Sequence, residues 1–267
     1  MGNEHLLQGL RILLTRPSQS AAKDEQLIKR RNGVPISIPL IQTSYVYSEL
    51  ENEILQRLEQ YDWIVFTSQN TVEYMMQVLE RYGRAEWLHQ VNIAAIGQKT
   101  EERLQEHGFT ASFMPSTFQA DEFVNEFPFH TLKASSILFP QGNLARDIIS
   151  ASFRERGIPC TKWILYETTM PSGSCERLIN HLMHDKLDIL TFASPSAVMN
   201  FMLAIQDQPY IKEQLTSGHW TVACIGPTTK QAALAYELPV HIQPAVYTMS
   251  AMLEDIVSIY MKNVKEE

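Results

Sequence analysis

Five short stretches of this sequence collect the groups from which an anion receptor can be built. They are Thr67-Ser68-Gln69-Asn70, Gly97-Gln98-Lys99-Thr100, Gly142-Asn143, Ser194-Pro195-Ser196 and Gly226-Pro227-Thr228-Thr229. Each follows a short apolar run and is expected to turn a strand into a helix. The first amides of a helix have no intrahelical acceptor, and the aligned peptide dipoles make that end positive. Hydroxyls and amides gathered there suit carboxylates or phosphates, so several such turns together could hold a polyanion with few cations. Arg16, directly after the first apolar run, is either a ligand-facing cation or a solvated terminus. Ser and Thr at these positions are N-caps in their own right, so any one turn has a structural reading beside the functional one.

Other chemistries lack their signatures. Neither glycine turn opens a G-x-G-x-x-G or a G-x-x-x-x-G-K-[ST] pattern, which removes the usual dinucleotide and P-loop motifs. His181 and His184 share a helical face, but no third metal ligand is evident. The other histidines are scattered, and no Ser–His–Asp arrangement can be argued. Cys160, Cys175 and Cys224 are odd in number and form no C-x-x-C pair, which argues against a disulfide framework and a zinc site. The clusters Tyr45-Val46-Tyr47 and Met75-Met76 read as packing.

The elements that must position these turns come in duplicate. Arg11 to Pro39 (RILLTRP…NGVPISIP) returns as Ser136 to Trp163 (SILFPQG…RGIPCTKW), with Gly33 and Pro35 matching Gly157 and Pro159. Asp62 to Met75 (DWIVFTSQNTVEYM) returns as Asp188 to Phe201 (DILTFASPSAVMNF), pairing Asp62, Phe66, Ser68 and Val72 with Asp188, Phe192, Ser194 and Val198. Ala94 to Leu104 (AAIGQKTEERL) returns around Cys224 to Ala233, aligning Ile96, Gly97 and Thr100 with Ile225, Gly226 and Thr229. Blocks in the same order at nearly constant spacing indicate duplication. Ile12-Leu13-Leu14, Trp63 to Phe66 and Ile93 to Ile96 are apolar without alternation, as buried parallel strands are. Val72, Met75, Met76 and Leu79, like Val198, Phe201, Met202 and Ile205, fall at helical spacing. Gly33, Gly108 and Gly157 sit where helix C-caps belong. The expected fold class is therefore α/β, with two similar domains, each a parallel sheet flanked by helices, and a ligand cleft between them lined by the turns.

A chain of 267 residues can hold two such domains, and 45% hydrophobic with 19% charged residues is an ordinary globular balance. Twenty-two basic against thirty acidic residues give a net charge of −8, and no basic stripe appears, so no nucleic-acid partner is expected. No apolar run is long enough for a membrane helix. Glu4, His5 and Arg11 in the first segment do not suit a secretory signal, and Leu6 does not suit the myristoylation pattern that Met1-Gly2 opens. A cytoplasmic monomer is the expectation, and the unpaired cysteines suit a reducing compartment.

Taken together, the blocks resemble uroporphyrinogen-III synthase, a cofactor-free enzyme of tetrapyrrole (haem) synthesis. The similar motifs are LLTRP (Leu13 to Pro17), FTSQNTV (Phe66 to Val72), IGQKT with the later HGF and Pro115, LFPQGNLAR (Leu138 to Arg146), LYET (Leu165 to Thr168), FASPSAVMNF (Phe192 to Phe201) and IGPTT (Ile225 to Thr229). They span nearly the whole chain. The sequence departs from the family's pattern at Gln141, where a basic residue is frequent, and at Gln69, where Pro is usual.

The resemblance implies that the repeats are interleaved. Domain 1 would comprise 1–37 and 170–267, domain 2 would comprise 38–169, and a two-stranded linker would join them; periodicity alone would suggest a tandem cut near residue 130. It implies the substrate hydroxymethylbilane, which bears eight carboxylates, and a reaction that loses water, inverts ring D through a spiro intermediate and closes the macrocycle, with neither cofactor nor metal. Departure of the hydroxyl needs modest acid help, which a phenol of ordinary pKa about 10 can give by donating a hydrogen bond. Tyr166 matches the family's cleft tyrosine and is the catalytic candidate; its bland reading is an aromatic packing on Trp163. Arg16, Thr67, Ser68, Gly97, Lys99, Asn143, Arg146, Ser194, Ser196, Gly226 and Thr228 are the substrate-binding candidates. The alternatives are a non-enzymatic two-domain anion-binding protein and a nucleotide-sugar transferase with two Rossmann-like halves, the latter lacking its Gly-rich loop and acidic metal motif.

Overall fold

A computed structural model describes residues 7–117, 120–129, 136–184 and 186–266. Met1, Gly2, Glu4, His5 and Leu6 of the first segment lie outside the described residues. The strands are β1 (Arg11–Leu14), β2 (Val34–Ser37), β3 (Gln42–Tyr45), β4 (Trp63–Phe66), β5 (Asn92–Ala95), β6 (Ile137–Gly142), β7 (Cys160–Thr169), β8 (Ile189–Phe192) and β9 (Thr221–Cys224). Between them run α1 (Ser18–Arg30), α2 (Glu51–Gln56), α3 (Gln69–Arg81), α4 (Gln98–Glu106), α5 (Ala120–Glu126), α6 (Ile148–Glu155), α7 (Ser174–Met183), α8 (Pro195–Ala204), α9 (Pro209–Thr216), α10 (Pro227–Ala235) and α11 (Met249–Glu266).

The chain divides into two compact units, Met1–Gln42 with Thr169–Glu267, and Thr43–Thr168. The first holds a sheet in the order β2-β1-β8-β9, the second a sheet in the order β3-β7-β6-β4-β5. The pairings of β1 with β2 and β8, of β8 with β9, of β4 with β5 and β6, and of β6 with β7 are all parallel. Each sheet therefore combines the first block of one repeat with the second and third blocks of the other, and a tandem cut near residue 130 is ruled out. The chain passes from one unit to the other inside β3 and again inside β7, which are neighbours in the second sheet. The first crossing falls at Gln42/Thr43 rather than after residue 37, because Ile38 and Leu40 are wholly buried in the core of the first unit.

The uninterrupted apolar strands are explained by cores on both faces. In the second unit Ile64, Phe66, Ile93 and Leu138 join a core with helices α3 and α4, while Val65, Ala94, Ile137 and Phe139 join one with α5 and α6. In the first unit Leu13, Leu190, Phe192 and Val222 face α7, α8 and α10, while Ile12, Leu14, Ile189 and Ala223 face α11. Matching carboxylates pin both sheets: Asp188 accepts from the Arg11 amide at 2.7 Å, and Asp62 accepts from the Ser136 amide at 2.8 Å, in each case at the entry to the adjoining strand.

One expected cap is corrected. Gly108 and Gly157 do take left-handed backbone conformations, at φ 86° and 67°, but after α1 it is Asn32, at φ 59°, that reverses the chain. Gly33 is needed for a different reason: a Cβ there would stand 2.8 Å from Ile28 Cγ2 and 3.2 Å from Leu7 Cβ. Among the described residues no helix is long and apolar enough to cross a membrane.

Candidate functional site

Ser68 ends β4 and opens α3, and its local role is clear. Its hydroxyl accepts from the Thr71 amide at 3.2 Å, the N-cap bond that satisfies one orphan donor of the helix. The same oxygen lies 2.8 Å from Thr71 Oγ1 and 3.3 Å from the Tyr166 hydroxyl. These three hydroxyls form a chain. Ser68 has one proton and two lone pairs, one of them taken by the Thr71 amide, so the chain has a consistent direction. When Thr71 donates to Ser68 and Ser68 to Tyr166, the phenol proton is left to point at a ligand.

Tyr166 is 9% exposed and sits on β7 opposite Gly142, the last residue of β6. The register slips between Gln141 and Gly142, so that Gly142 meets Tyr166 rather than its predecessor. A Cβ on Gly142 would lie 2.6 Å from Tyr166 Cε2 and Cζ and 2.9 Å from its hydroxyl. Only glycine admits the phenol here. The other neighbour is Tyr74 of α3, whose ring stacks on Tyr166 with centroids 5.1 Å apart and planes inclined by 20°. Tyr166 and Trp163 belong to one core cluster, but the ring that Tyr166 stacks on is Tyr74.

The Gly142-Asn143 turn differs from expectation. It does not begin a helix, since α6 starts at Ile148 after Asp147. The Asn143 amide donates to the Tyr166 carbonyl at 3.0 Å, and Asn143 Oδ1 accepts from the Thr168 amide at 2.9 Å. Asn143 therefore braces the strand that carries Tyr166, with its side-chain NH2 as the group left for a ligand. Arg146 is exposed in the segment that follows. Asp147 occupies the start of α6, and hydrogen bonds from Lys162, Ser150 and Arg154 hold its carboxyl far below the ordinary range. A helix start already carrying a carboxylate is a poor receptor for another.

The remaining turns keep their expected form. Thr67 is half-buried beside Ser68; Gly97 is the N-cap of α4, with Lys99 exposed in its first turn. In the first unit Ser194 caps α8 through the Ala197 amide at 3.2 Å, repeating Ser68, while Ser196 is half-buried and Thr228 exposed. Gly226 caps α10, and the exposed Tyr247 ring lies across it, 3.3 Å from where a Cβ would stand. Prolines 195 and 227 open these two helices, so each offers one amide donor fewer than α3 or α4. The first unit has a cation instead. Arg16 and Ser194 line a cavity of about 150 Å³ with Thr15, Pro17, Ile41, Ala193 and Ala197. Arg16 Nη1 is also held 3.0 Å from Asp24 Oδ2, so it is a partly buried, paired cation rather than a solvated terminus.

A roomier hollow of about 650 Å³ runs along α7 past Cys175, Ile179 and Met183. Its walls are mostly apolar and include none of the strand-end turns, so its size does not make it the anion receptor. His181 and His184 donate through Nδ1–H to the Arg177 and Asn180 carbonyls of their own helix, and no cluster of metal-ligating residues occurs among the described residues. Burial pushes the Cys160 and Cys224 thiols up to about 11 and about 12, which removes both as nucleophiles at neutral pH.

Tyr74, Thr71 and Asp24 escaped the sequence reading. Tyr74 looks like one more member of an amphipathic helix, and only its ring contact marks it out. The exclusion of any side chain at residue 142 was readable at most as a Gly in a repeated block.

Comparison with known proteins comes to the same place. A family model described as uroporphyrinogen-III synthase HemD matches residues 22–254. The porphyrin biosynthesis protein HemD of Ruminiclostridium josui is 26% identical over 265 residues; the match takes in 97% of this chain, which spans half the length of that relative. The uroporphyrinogen-III synthase of Chlorobaculum parvum is 27% identical over 239 residues, 88% of this chain and 93% of the relative. Among solved structures, a mutant uroporphyrinogen III synthase from Thermus thermophilus superposes with a TM-score of 0.72 at 16% identity, covering 95% of this chain and all of the other. The enzyme from Helicobacter pylori gives 0.63 at 18% identity, covering 94% and all of it. At such identities the structural likeness speaks for the fold.

Proposed function

The chain belongs to the uroporphyrinogen-III synthase family, and from that premise we infer that it is a cyclising lyase converting hydroxymethylbilane to uroporphyrinogen III, with Tyr166 assisting loss of the terminal hydroxyl. The observation that carries this reading is the Thr71–Ser68–Tyr166 hydroxyl chain at a strand end of the second unit.

The pyrrole nitrogen of the terminal ring pushes out the hydroxyl. A hydrogen bond from the Tyr166 phenol eases its departure, and the oxygen leaves as water once it has gained a proton. The resulting electrophile is attacked first by the substituted carbon of ring D. The spiro intermediate that forms then fragments and recloses with ring D inverted. Closure without inversion needs no catalyst, so the harder task is positional, and fixed geometry can be worth on the order of 7 kcal/mol or more. We assign that task to the amides and hydroxyls of Thr67, Ser68, Gly97, Ser194, Ser196, Gly226 and Thr228, with Arg16, Lys99, Arg146 and the Asn143 side-chain NH2 completing the grip on substrate carboxylates. What supports the assignment is that α3, α4, α8 and α10 all begin at the carboxyl ends of parallel strands, where such ligands bind. No step calls for a metal or a cofactor. We further place the protein in the cytoplasm as a monomer, to be checked by sedimentation at 30.6 kDa.

Incubation with enzymatically generated hydroxymethylbilane, followed by chromatographic separation of the isomers, tests the activity. Type III product is expected; type I alone, at the spontaneous rate, would end the reading.

A further inference from the structure

We propose that Tyr74 is a positioning residue for the Tyr166 phenol, acting together with the bare backbone of Gly142; this rests on the reading of Tyr166 given above. A tyrosine on a strand end has two side-chain torsions to settle, and a weak acid helps only while its hydroxyl points at the reacting oxygen. Here three contacts settle them. Tyr74 covers a face of the ring at 5.1 Å between centroids, Gly142 abuts the hydroxyl-bearing end where a Cβ would come within 2.6 Å, and Ser68 meets the hydroxyl at 3.3 Å. Tyr74 is itself fixed, because its hydroxyl donates to Thr43 Oγ1 at 3.0 Å.

Ser68 and Tyr74 both belong to α3, so one rigid helix supplies the partner of the hydroxyl and the partner of the ring. The register slip at Gln141/Gly142 brings the glycine to the phenol. Ordinary packing explains a stacked aromatic pair. It does not require a glycine at the one place where a methyl would strike the phenol's reactive end.

The test is a set of kinetic variants in the full chain: Tyr74→Leu, Tyr74→Phe, Gly142→Ala, Tyr166→Phe and the double variant Tyr74→Leu/Tyr166→Phe. Tyr74→Leu and Gly142→Ala should each lower kcat about ten- to a hundredfold, the scale of a misplacement near 1 Å, with KM nearly unchanged. Tyr74→Phe, which keeps the stacked ring, should recover most of that loss. In the double variant the Leu should cost nothing beyond Tyr166→Phe alone. Wild-type kcat in both Tyr74→Leu and Gly142→Ala, with Tyr166→Phe slow, would overturn the positioning role and leave the role of Tyr166 standing. Losses that multiply in the double variant would overturn it too. Wild-type turnover in Tyr166→Phe would remove the phenol's role first and the positioning with it. If Tyr74→Leu does not fold, Gly142→Ala alone decides, since the three atoms nearest the added methyl all belong to Tyr166.

Discussion

Arg16 Nη1 stands 3.0 Å from Asp24 Oδ2, and the acid is the more buried partner, with 10% of its side chain exposed against 33% for the arginine. Burial pushes the Asp24 carboxyl above its ordinary value, and the charge and hydrogen bond of Arg16 draw it only part of the way back. A carboxyl whose folded pKa lies above the unfolded one contributes stability at low pH that is lost as pH rises through the folded value. Asp24→Asn should therefore leave thermal stability at pH 7 unchanged or raised, with the advantage fading as pH falls through the folded value and gone below the ordinary carboxylate value of about 4. It should also release Arg16 for a carboxylate and lower KM by up to about fivefold, since a partly exposed pair is worth roughly 1 kcal/mol at most. Melting curves at several pH values and steady-state kinetics check both. An Asn variant that melts lower at pH 7 would contradict the first claim, and one with raised KM the second.

Ser68 and Ser194 make the same N-cap bond at 3.2 Å, and Ser68 also lies 3.3 Å from the Tyr166 hydroxyl. Ser68→Ala and Ser194→Ala should each cost about 1 kcal/mol of stability. Their kinetics should part company: Ser68→Ala lowers kcat, while Ser194→Ala acts on KM. Tyr166→Phe should exceed both, with kcat down by about a hundredfold or more, the usual scale of acid–base assistance. Equal kcat values for the two serine variants would detach Ser68 from the chemistry.

Much of this architecture was legible because both faces of each sheet are buried. That makes strands such as Trp63–Phe66 and Ile189–Phe192 continuous apolar runs, and it places the Ser or Gly that follows at a helix start. The repeat also located matching parts, down to Asp62 and Asp188. It could not reveal which copy pairs with which, because strand pairing is a long-range choice that leaves local pattern unchanged; the family resemblance supplied that. The site was legible as turns and illegible as contacts. Asn143 reads as a free amide donor in sequence, but its main chain and its Oδ1 are both engaged with β7. Gly142 and Tyr74 matter only through a register slip and a ring stack, neither of which has a sequence period.

Asp188 offers a test of the first unit's sheet. Burial pushes its carboxyl upward, but hydrogen bonds from the Arg11 side chain and amide, with the Arg11 charge, outweigh that and leave the pKa below the ordinary value. The sign is then opposite to that of Asp24. The stabilisation is present above the unfolded carboxylate pKa and is lost as pH falls through the folded one. Asp188→Asn should melt below wild type at pH 7, and the two curves should converge in strong acid. A constant gap across the whole range would mean that shape, rather than ionisation, accounts for the loss.

The turn after α1 separates conformational strain from steric exclusion within two adjacent residues. Asn32 holds φ 59°, a left-handed conformation that glycine adopts without strain, so Asn32→Gly should leave the chain reversal itself intact. Gly33 has an ordinary φ, yet a methyl there would meet Ile28 Cγ2 at 2.8 Å and Leu7 Cβ at 3.2 Å. Both neighbours are fully buried, so neither can yield without disturbing the core beneath α11. Gly33→Ala should therefore cost about 1–3 kcal/mol, the usual penalty of overpacking. Chemical denaturation of the two variants decides between the roles. If Asn32→Gly were the damaging change and Gly33→Ala the harmless one, the chain reversal would depend on the asparagine side chain and not on the space above Ile28.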